Sequence, residues 1–307
     1  MTTEMITAAA SGTWQLGDRT VNRLGYGAMR TMAKGNGDPS DRDTVIAVLR
    51  RAVELGVNHI DTAAFYFSSL RSANELINTA LAPYPDDLVI TTKVGPGRGP
   101  AGDWLPEARP EQLRGQVEEN LRQLGRDHLD VVNLRIGAGL DRGVGTLADR
   151  FGALAELREA GLIRHLGVSN VGPDHLREAL AVAPVVCVQN KYSLTTARED
   201  DPFIELCAEH GVAFVPFFAI AGGGNVSGRP SEREATDRDR AAAAAAEQVA
   251  AEHGVSPAQV RLAWTLHKGP NVLAIPGTGN LGHLEENVAA GALRLTDDDL
   301  ARLDTIG

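Results

Sequence analysis

Residues 129–134, LDVVNL, and 212–218, VAFVPFF, are apolar at nearly every position instead of every second one. A strand with one wet face alternates, whereas an unbroken run marks a parallel strand covered on both faces. Outward from these two, shorter strand-like runs occur at 24–27, 57–61, 88–93, 165–169, 185–189 and 272–275. Helical periodicity separates them, over 42–55, 73–81, 110–124, 146–160, 173–181, 202–210 and 257–267. Ser256-Pro257 followed by Gln259 is a capping-box pattern with Pro at the first helical position, which supports the phasing. Eight strands alternating with helices, without a break in composition, predict an α/β fold of the (β/α)8 TIM-barrel type in preference to an open doubly wound sheet. WQLGDRTV at 14–21 turns around Gly17-Asp18 and predicts an N-terminal β-hairpin that caps the bottom of the barrel. Helices are expected at the C-terminal end. The expected organisation is a flexible N-terminal tail over 1–12 and a single barrel domain over 13–307.

The totals narrow the function. In 307 residues, Lys+Arg 30 against Asp+Glu 40 gives a formal net charge of -10, which disfavours nucleic acid and anionic membranes as partners. No apolar run approaches the ~20 residues needed to cross a bilayer. Cys187 and Cys207 form no CxxC or Cys/His cluster, so they read as reduced core residues of a cytoplasmic protein, with no metal. One segment departs from the rhythm: AIAGGGNVSGRPSEREATDRDRAAAAAAEQ, beginning at Ala219. Its alanine tract, 241–251, is expected to be helical, and its charged run a solvated, mobile face. The Gly222-Gly223-Gly224 turn suits either a backbone approach to phosphate or a hinge.

Active sites of such barrels lie at the C-terminal ends of the strands, and polar residues gather there. VNHIDTAAFY, 57–66, closes a strand on Asp61 and reaches Tyr66 five positions on. LVITTK, 88–93, closes the next on Lys93, a residue costly to bury without a carboxylate partner; Asp61 is the natural one. A structural ion pair would read the same way. The tyrosine between them favours chemistry, because an adjacent ammonium favours phenolate and makes the phenol a usable general acid. Further strand ends supply Asn133, Arg135, Ser169, Asn170, Gln189, Asn190 and Phe217, and the last opens into residues 276–280.

Together GYGAMR, NHIDTAAFY, TTKVG, GVSN, VQNKYS and IPGTGNLGHLEEN, spread over nearly the whole chain, resemble the aldo-keto reductase family. NLR, IPGT and VPFF are most similar to its bacterial pyridoxal reductase branch. The resemblance implies that NADPH, or less readily NADH, delivers hydride to a carbonyl carbon while Tyr66 donates the proton, tuned by Lys93 and Asp61. It implies Ser169, Asn170 and Gln189 around the carboxamide and Phe217 against the nicotinamide. The loop from Gly222, with Gly277, Thr278, His283, Glu286 and Asn287, would hold the pyrophosphate and adenosine end. Two positions depart from the family. Arg135 stands where a histidine is usual, and its fixed cation suits a carbonyl oxygen or an anionic substrate group. Gly277 and His283 replace a usual lysine and arginine, which leaves fewer cations for a 2′-phosphate. The implied reaction is reduction of a small aldehyde, pyridoxal to pyridoxine first among them. Trp104, in PGRGPAGDW, stacks on an aromatic substrate or acts as a hydrophobic lid. A ketone intermediate of secondary metabolism, or an NADPH-binding regulatory subunit with weak turnover, are the alternatives.

Overall fold

The computed structural model describes residues 6–32, 40–68, 70–99, 103–137, 142–196, 198–220 and 236–305. An antiparallel hairpin, β1 (Thr13–Leu16) and β2 (Arg19–Asn22), comes first. Seven parallel strands follow in chain order around one sheet: β3 (Tyr26–Gly27), β4 (His59–Asp61), β5 (Val89–Val94), β6 (Leu129–Arg135), β7 (Ile163–Ser169), β8 (Val185–Gln189) and β9 (Ala213–Phe214). The helices α1 (Arg42–Glu54), α2 (Ala73–Leu81), α3 (Pro110–Leu124), α4 (Ala148–Glu159), α5 (Pro173–Val182) and α6 (Asp201–Glu209) lie between them. α7 (Asp237–His253), α8 (Pro257–His267), α9 (Leu281–Ala289) and α10 (Asp297–Asp304) complete the chain.

The expected eighth strand is bonded to both edges of this sheet. Leu273 N–H donates to Phe214 O at 2.9 Å, Ala274 N–H to Arg23 O at 2.9 Å, and Gly25 N–H to Ala274 O at 2.8 Å. Parallel bridges Phe214↔Val272 and Leu24↔Ala274 thereby close the (β/α)8 barrel. The seventh strand is shorter than predicted because Pro216 has no N–H to give. On either side of it, Val215 N–H still reaches Val188 O at 2.7 Å and Phe217 N–H reaches Asn190 O at 2.9 Å. The hairpin plugs the bottom, where Leu16 and Val21 join Val89, Val131, Cys187, Ala213, Val215 and Leu273 in a buried cluster. Both cysteines are free and buried.

Of the stretch 1–12 expected to be loose, Ala8–Ser11 forms a 3-10 turn whose Ser11 hydroxyl accepts from Leu24 N–H at 3.0 Å. Part of the charged run is helical: Thr236 and Asp239 cap α7 reciprocally, so Asp237–Arg240 form its first turn, acidic where the helix dipole favours it. Residues 221–235, including the glycine turn, lie outside the described residues. No described helix is long and apolar enough to cross a membrane.

His59 on β4 is 2% exposed, and burial, set against a weak pull from the Asn22 backbone, pushes its imidazole down from 6.5 to about 4. The native state therefore holds this ring neutral, and stability should be full above pH 6.5 and fall as pH drops from 6.5 toward 4. The depressed value amounts to about 3 kcal/mol. The unfolding free energy from urea denaturation should fall less between pH 7 and pH 4.5 in His59→Leu than in the wild type, by most of that amount; equal falls would remove His59 from the acid response.

Candidate active site

Strand alternation points Asp61 and Lys93 into the barrel mouth from neighbouring strands, and the two meet there. Lys93 Nζ lies 2.7 Å from Asp61 Oδ1 and donates to Thr62 O at 2.9 Å; the side chains are 1% and 6% exposed. Burial by itself would pull the ammonium down, yet the charge of Asp61 and the phenol of Tyr66 together hold it above the usual lysine value. The ammonium is thus charged at neutral pH. Asp61 Oδ2 accepts from Gln189 Nε2 at 2.8 Å, Gln189 Oε1 from Asn133 Nδ2 at 3.2 Å, and Asn133 Oδ1 from the Cys187 thiol at 3.1 Å. A chain of donors and acceptors therefore crosses the barrel from β4 to β8.

Tyr66, half-buried in the loop after β4, places its ring centroid 4.8 Å from Lys93 Nζ. Arg135 ends β6, 8% exposed, with its guanidinium carbon 5.6 Å from the centroid of Phe217. Burial lowers its pKa, and Tyr66 and Asp61 pull it back up, which puts the guanidinium in the field of both. Among the predicted catalytic residues, then, Asp61, Lys93, Tyr66 and Arg135 are brought to one end of the barrel. They combine a phenol, a fixed ammonium and a guanidinium at the strand ends. Such a set can protonate an oxygen and stabilise the charge left on the donor.

The residues predicted for a cofactor divide into groups. Ser169, paired in register with Arg135, is fully buried, and its hydroxyl has no hydrogen-bond partner among the described residues. Asn170 adopts the left-handed conformation (φ 61) and donates its N–H to Gln189 O at 3.1 Å. The Gln189 side chain, expected at a carboxamide, is here engaged with Asp61 and Asn133. Gly277 belongs to a close backbone crossing: a Cβ there would lie 2.4 Å from Gly27 O. That contact accounts for glycine at this position. Thr278 is buried, and its carbonyl accepts from the Tyr26 hydroxyl at 2.5 Å. Asn280 caps α9 by accepting from His283 N–H at 3.0 Å, leaving His283 and Glu286 exposed and Asn287 buried on that helix. Gly222 lies outside the described residues.

One part of the site escaped the sequence reading. Thr62 and Thr92, each next to one partner of the ion pair, point the opposite way, toward the helices. Thr62 Oγ1 donates to Asn74 Oδ1 of α2 at 2.7 Å, Thr92 Oγ1 to Asn120 Oδ1 of α3 at 2.5 Å, and Asn74 Nδ2 to Asn120 Oδ1 at 3.0 Å. All four residues are fully buried. This clasp holds the ends of β4 and β5 in place from outside the barrel. Its signal was present at Asn120, which occupies the apolar stripe Leu113, Val117, Leu124 of α3.

Residues 23–307 match the model of the Aldo/keto reductase family. The chain is 45% identical over 300 residues to pyridoxine 4-dehydrogenase of Escherichia coli, covering 97% of this chain and 99% of that protein. It is 36% identical to an uncharacterized oxidoreductase of Schizosaccharomyces pombe, over 98% of this chain and 92% of that one. Among solved structures, an aldo/keto reductase from Klebsiella pneumoniae in complex with NADP and acetate superposes with a TM-score of 0.74 at 25% identity, covering 95% of this chain and 94% of that chain. In fold alone, the glycerol dehydrogenase of Gluconobacter oxydans is similar with a TM-score of 0.79 at 24% identity, covering 97% and 95%.

Removing one member of the buried pair strands the other. Lys93→Met and Asp61→Asn should each lower unfolding free energy by about 3–5 kcal/mol, while the double variant regains most of the loss. Guanidinium denaturation of the three proteins checks this, and additive losses would show that the pair is not the source.

Proposed function

The chain belongs to the aldo/keto reductase family, an oxidoreductase family, and on that premise we propose that it reduces an aldehyde to an alcohol with NADPH, pyridoxal to pyridoxine being the favoured reaction. The observation that carries this reading is the buried Lys93–Asp61 pair set against the Tyr66 ring at the barrel mouth. The unsatisfied hydroxyl of Ser169 at a strand end fits a carboxamide, since buried polar atoms in folded proteins otherwise find partners. Ser169, Asn170 and Gln189 would hold that carboxamide, Phe217 would stack on the nicotinamide, and Thr278, His283, Glu286 and Asn287 would receive the adenosine end beside Gly277. Gly222 is proposed at the pyrophosphate. When bound there, NADPH supplies a hydride for the carbonyl carbon.

The residues of the chain manage the proton. Tyr66 donates its hydroxyl proton to the carbonyl oxygen, and the Lys93 ammonium stabilises the phenolate that remains. Asp61 keeps Lys93 charged and aimed. Arg135 supports negative charge on the substrate oxygen, and in pyridoxal the phenolic oxygen beside the aldehyde is a second acceptor within the same molecule. The 45% identity to a pyridoxine 4-dehydrogenase supports that substrate over an aliphatic aldehyde. With glycine at 277 and histidine at 283, the preference for NADPH over NADH rests on hydrogen bonds from residues 278–287 more than on fixed cations. A cytoplasmic setting belongs to the same proposal.

Following absorbance at 340 nm with pyridoxal and NADPH, Tyr66→Phe should slow hydride transfer by roughly a hundredfold or more while cofactor binding survives, because a positioned proton donor is typically worth 10²–10⁴. Turnover equal to the wild type would remove Tyr66 from that role. Fluorescence titration of His283→Ala should show weaker NADPH binding and unaltered NADH binding; a parallel loss for both would mean that His283 does not read the 2′-phosphate.

A further inference from the structure

After Gly95 the chain does not run directly from β5 into α3. Residues 97–99 and 103–105 first pair as the two arms of a short hairpin, with Arg98 and Trp104 forming an antiparallel bridge. Gly99 N–H donates to Asp103 O at 2.8 Å and Leu105 N–H to Gly97 O at 2.9 Å. The base of this hairpin is anchored. Gly95 N–H donates to Gln116 Oε1 of α3 at 2.7 Å, Gly95 O accepts from Ala108 N–H at 2.8 Å, and a Cβ on Gly95 (φ 114) would lie 2.3 Å from Arg135 O. The hairpin thus stands directly on the strand end that carries Arg135.

Its upper part reaches the other side of the mouth through aromatic contacts. The Trp104 ring meets Phe65 edge-on, centroids 5.7 Å apart at 64°, and Phe65 meets Tyr66 at 5.2 Å and 85°. The Arg98 guanidinium carbon lies 5.3 Å from the Phe67 centroid and 5.5 Å from that of Trp104, and its Nη1 donates to Phe67 O at 3.4 Å. One guanidinium therefore joins the hairpin to the loop that bears the Tyr66 hydroxyl. Trp104 keeps 51% of its surface exposed and Leu105 beside it 49%, which leaves an apolar wall available at the rim. A planar cation between two rings fixes their relative tilt in a way that an aliphatic contact does not.

We infer that Arg98 is a positioning residue for substrate selection: by holding Trp104 against the Tyr66 loop, it makes the rim a flat wall that favours planar aromatic aldehydes over aliphatic ones. The inference rests on the proposed carbonyl reduction at the same site, and it concerns selectivity, not the proton transfer. Arg98 touches no reacting atom in this scheme. Its effect runs through the pose of the indole, so it belongs in KM for a ring-bearing substrate and not in the chemical step.

The test compares pyridoxal with butanal at saturating NADPH in the wild type, Arg98→Ala, Arg98→Lys, Trp104→Ala and the Arg98→Ala/Trp104→Ala pair. Loss of one ring contact should raise KM for pyridoxal about tenfold in Arg98→Ala with kcat little changed, and leave butanal within about twofold. Arg98→Lys, which keeps charge but not the flat face, should fall between. The double variant should be no worse than Trp104→Ala. Equal losses on both aldehydes, no loss on either, or additive losses in the double variant would overturn the inference. Quenching of tryptophan emission by pyridoxal without cofactor is read in parallel. Quenching that weakens about tenfold in Arg98→Ala supports the inference even where no protein turns over, an outcome that would sink only the assigned reaction. Quenching that is the same in Arg98→Ala and the wild type overturns it.

Discussion

The contact between Lys93 and Asp61 governs the rest of this molecule. An ammonium taken out of water loses hydration worth several kcal/mol, and the loss is tolerable only where a carboxylate and further acceptors replace the water. Asp61, Thr62 O and the phenol beyond them provide those acceptors, so the lysine stays charged in the interior at 1% exposure. The geometry this requires reaches outward. β4 and β5 must end at fixed heights, which the clasp of Thr62, Asn74, Thr92 and Asn120 secures from the helix side. It also reaches across the barrel, since the second oxygen of Asp61 is met by Gln189 and, through it, by Asn133. The ion pair is thus supported by four strands and two helices, and the barrel mouth acquires a rigid positive point beside a phenol.

Arg135 gives the mouth a second cation of a different kind. It is buried on β6, stacked near Phe217 and in the field of Tyr66 and Asp61. A guanidinium there offers directed donors and remains charged over the working pH range. Above it, the paired segments 97–99 and 103–105 bring Arg98, Phe67, Trp104 and Phe65 into one connected edge. The inner part of the site therefore deals with charge, whereas the rim deals with shape. That division suits a substrate with a polar reacting end and a flat body.

Much of the architecture could be read from the chain because it depends on short-range pattern. Unbroken apolar runs at 129–134 and 212–218 marked parallel strands, and seven barrel strands with the closing segment near 272–275 lie in the order expected. Boundaries were less legible where a single backbone group decides them, as at Pro216. Asp61 and Lys93 were legible as partners because a strand-end lysine needs a carboxylate. The asparagine clasp was not, since an asparagine on a helix becomes a structural clue only when the strand facing it is known. Gly277 likewise looked like a missing cation, and became a packing requirement once Gly27 O was found against it.

By itself, the sequence determined the class of fold and the types of group at the strand ends, because hydrophobic periodicity and the need to neutralise a buried charge are local and pairwise constraints. It determined that a phenol, an ammonium and a carboxylate would be available. Only the tertiary structure decided that Gln189 turns to Asp61, that Arg135 lies over Phe217, and that Arg98 ties the hairpin to the Tyr66 loop. Those outcomes depend on strand register and side-chain reach between segments far apart in the chain. Closure of the barrel sets both at once, and no local pattern encodes them.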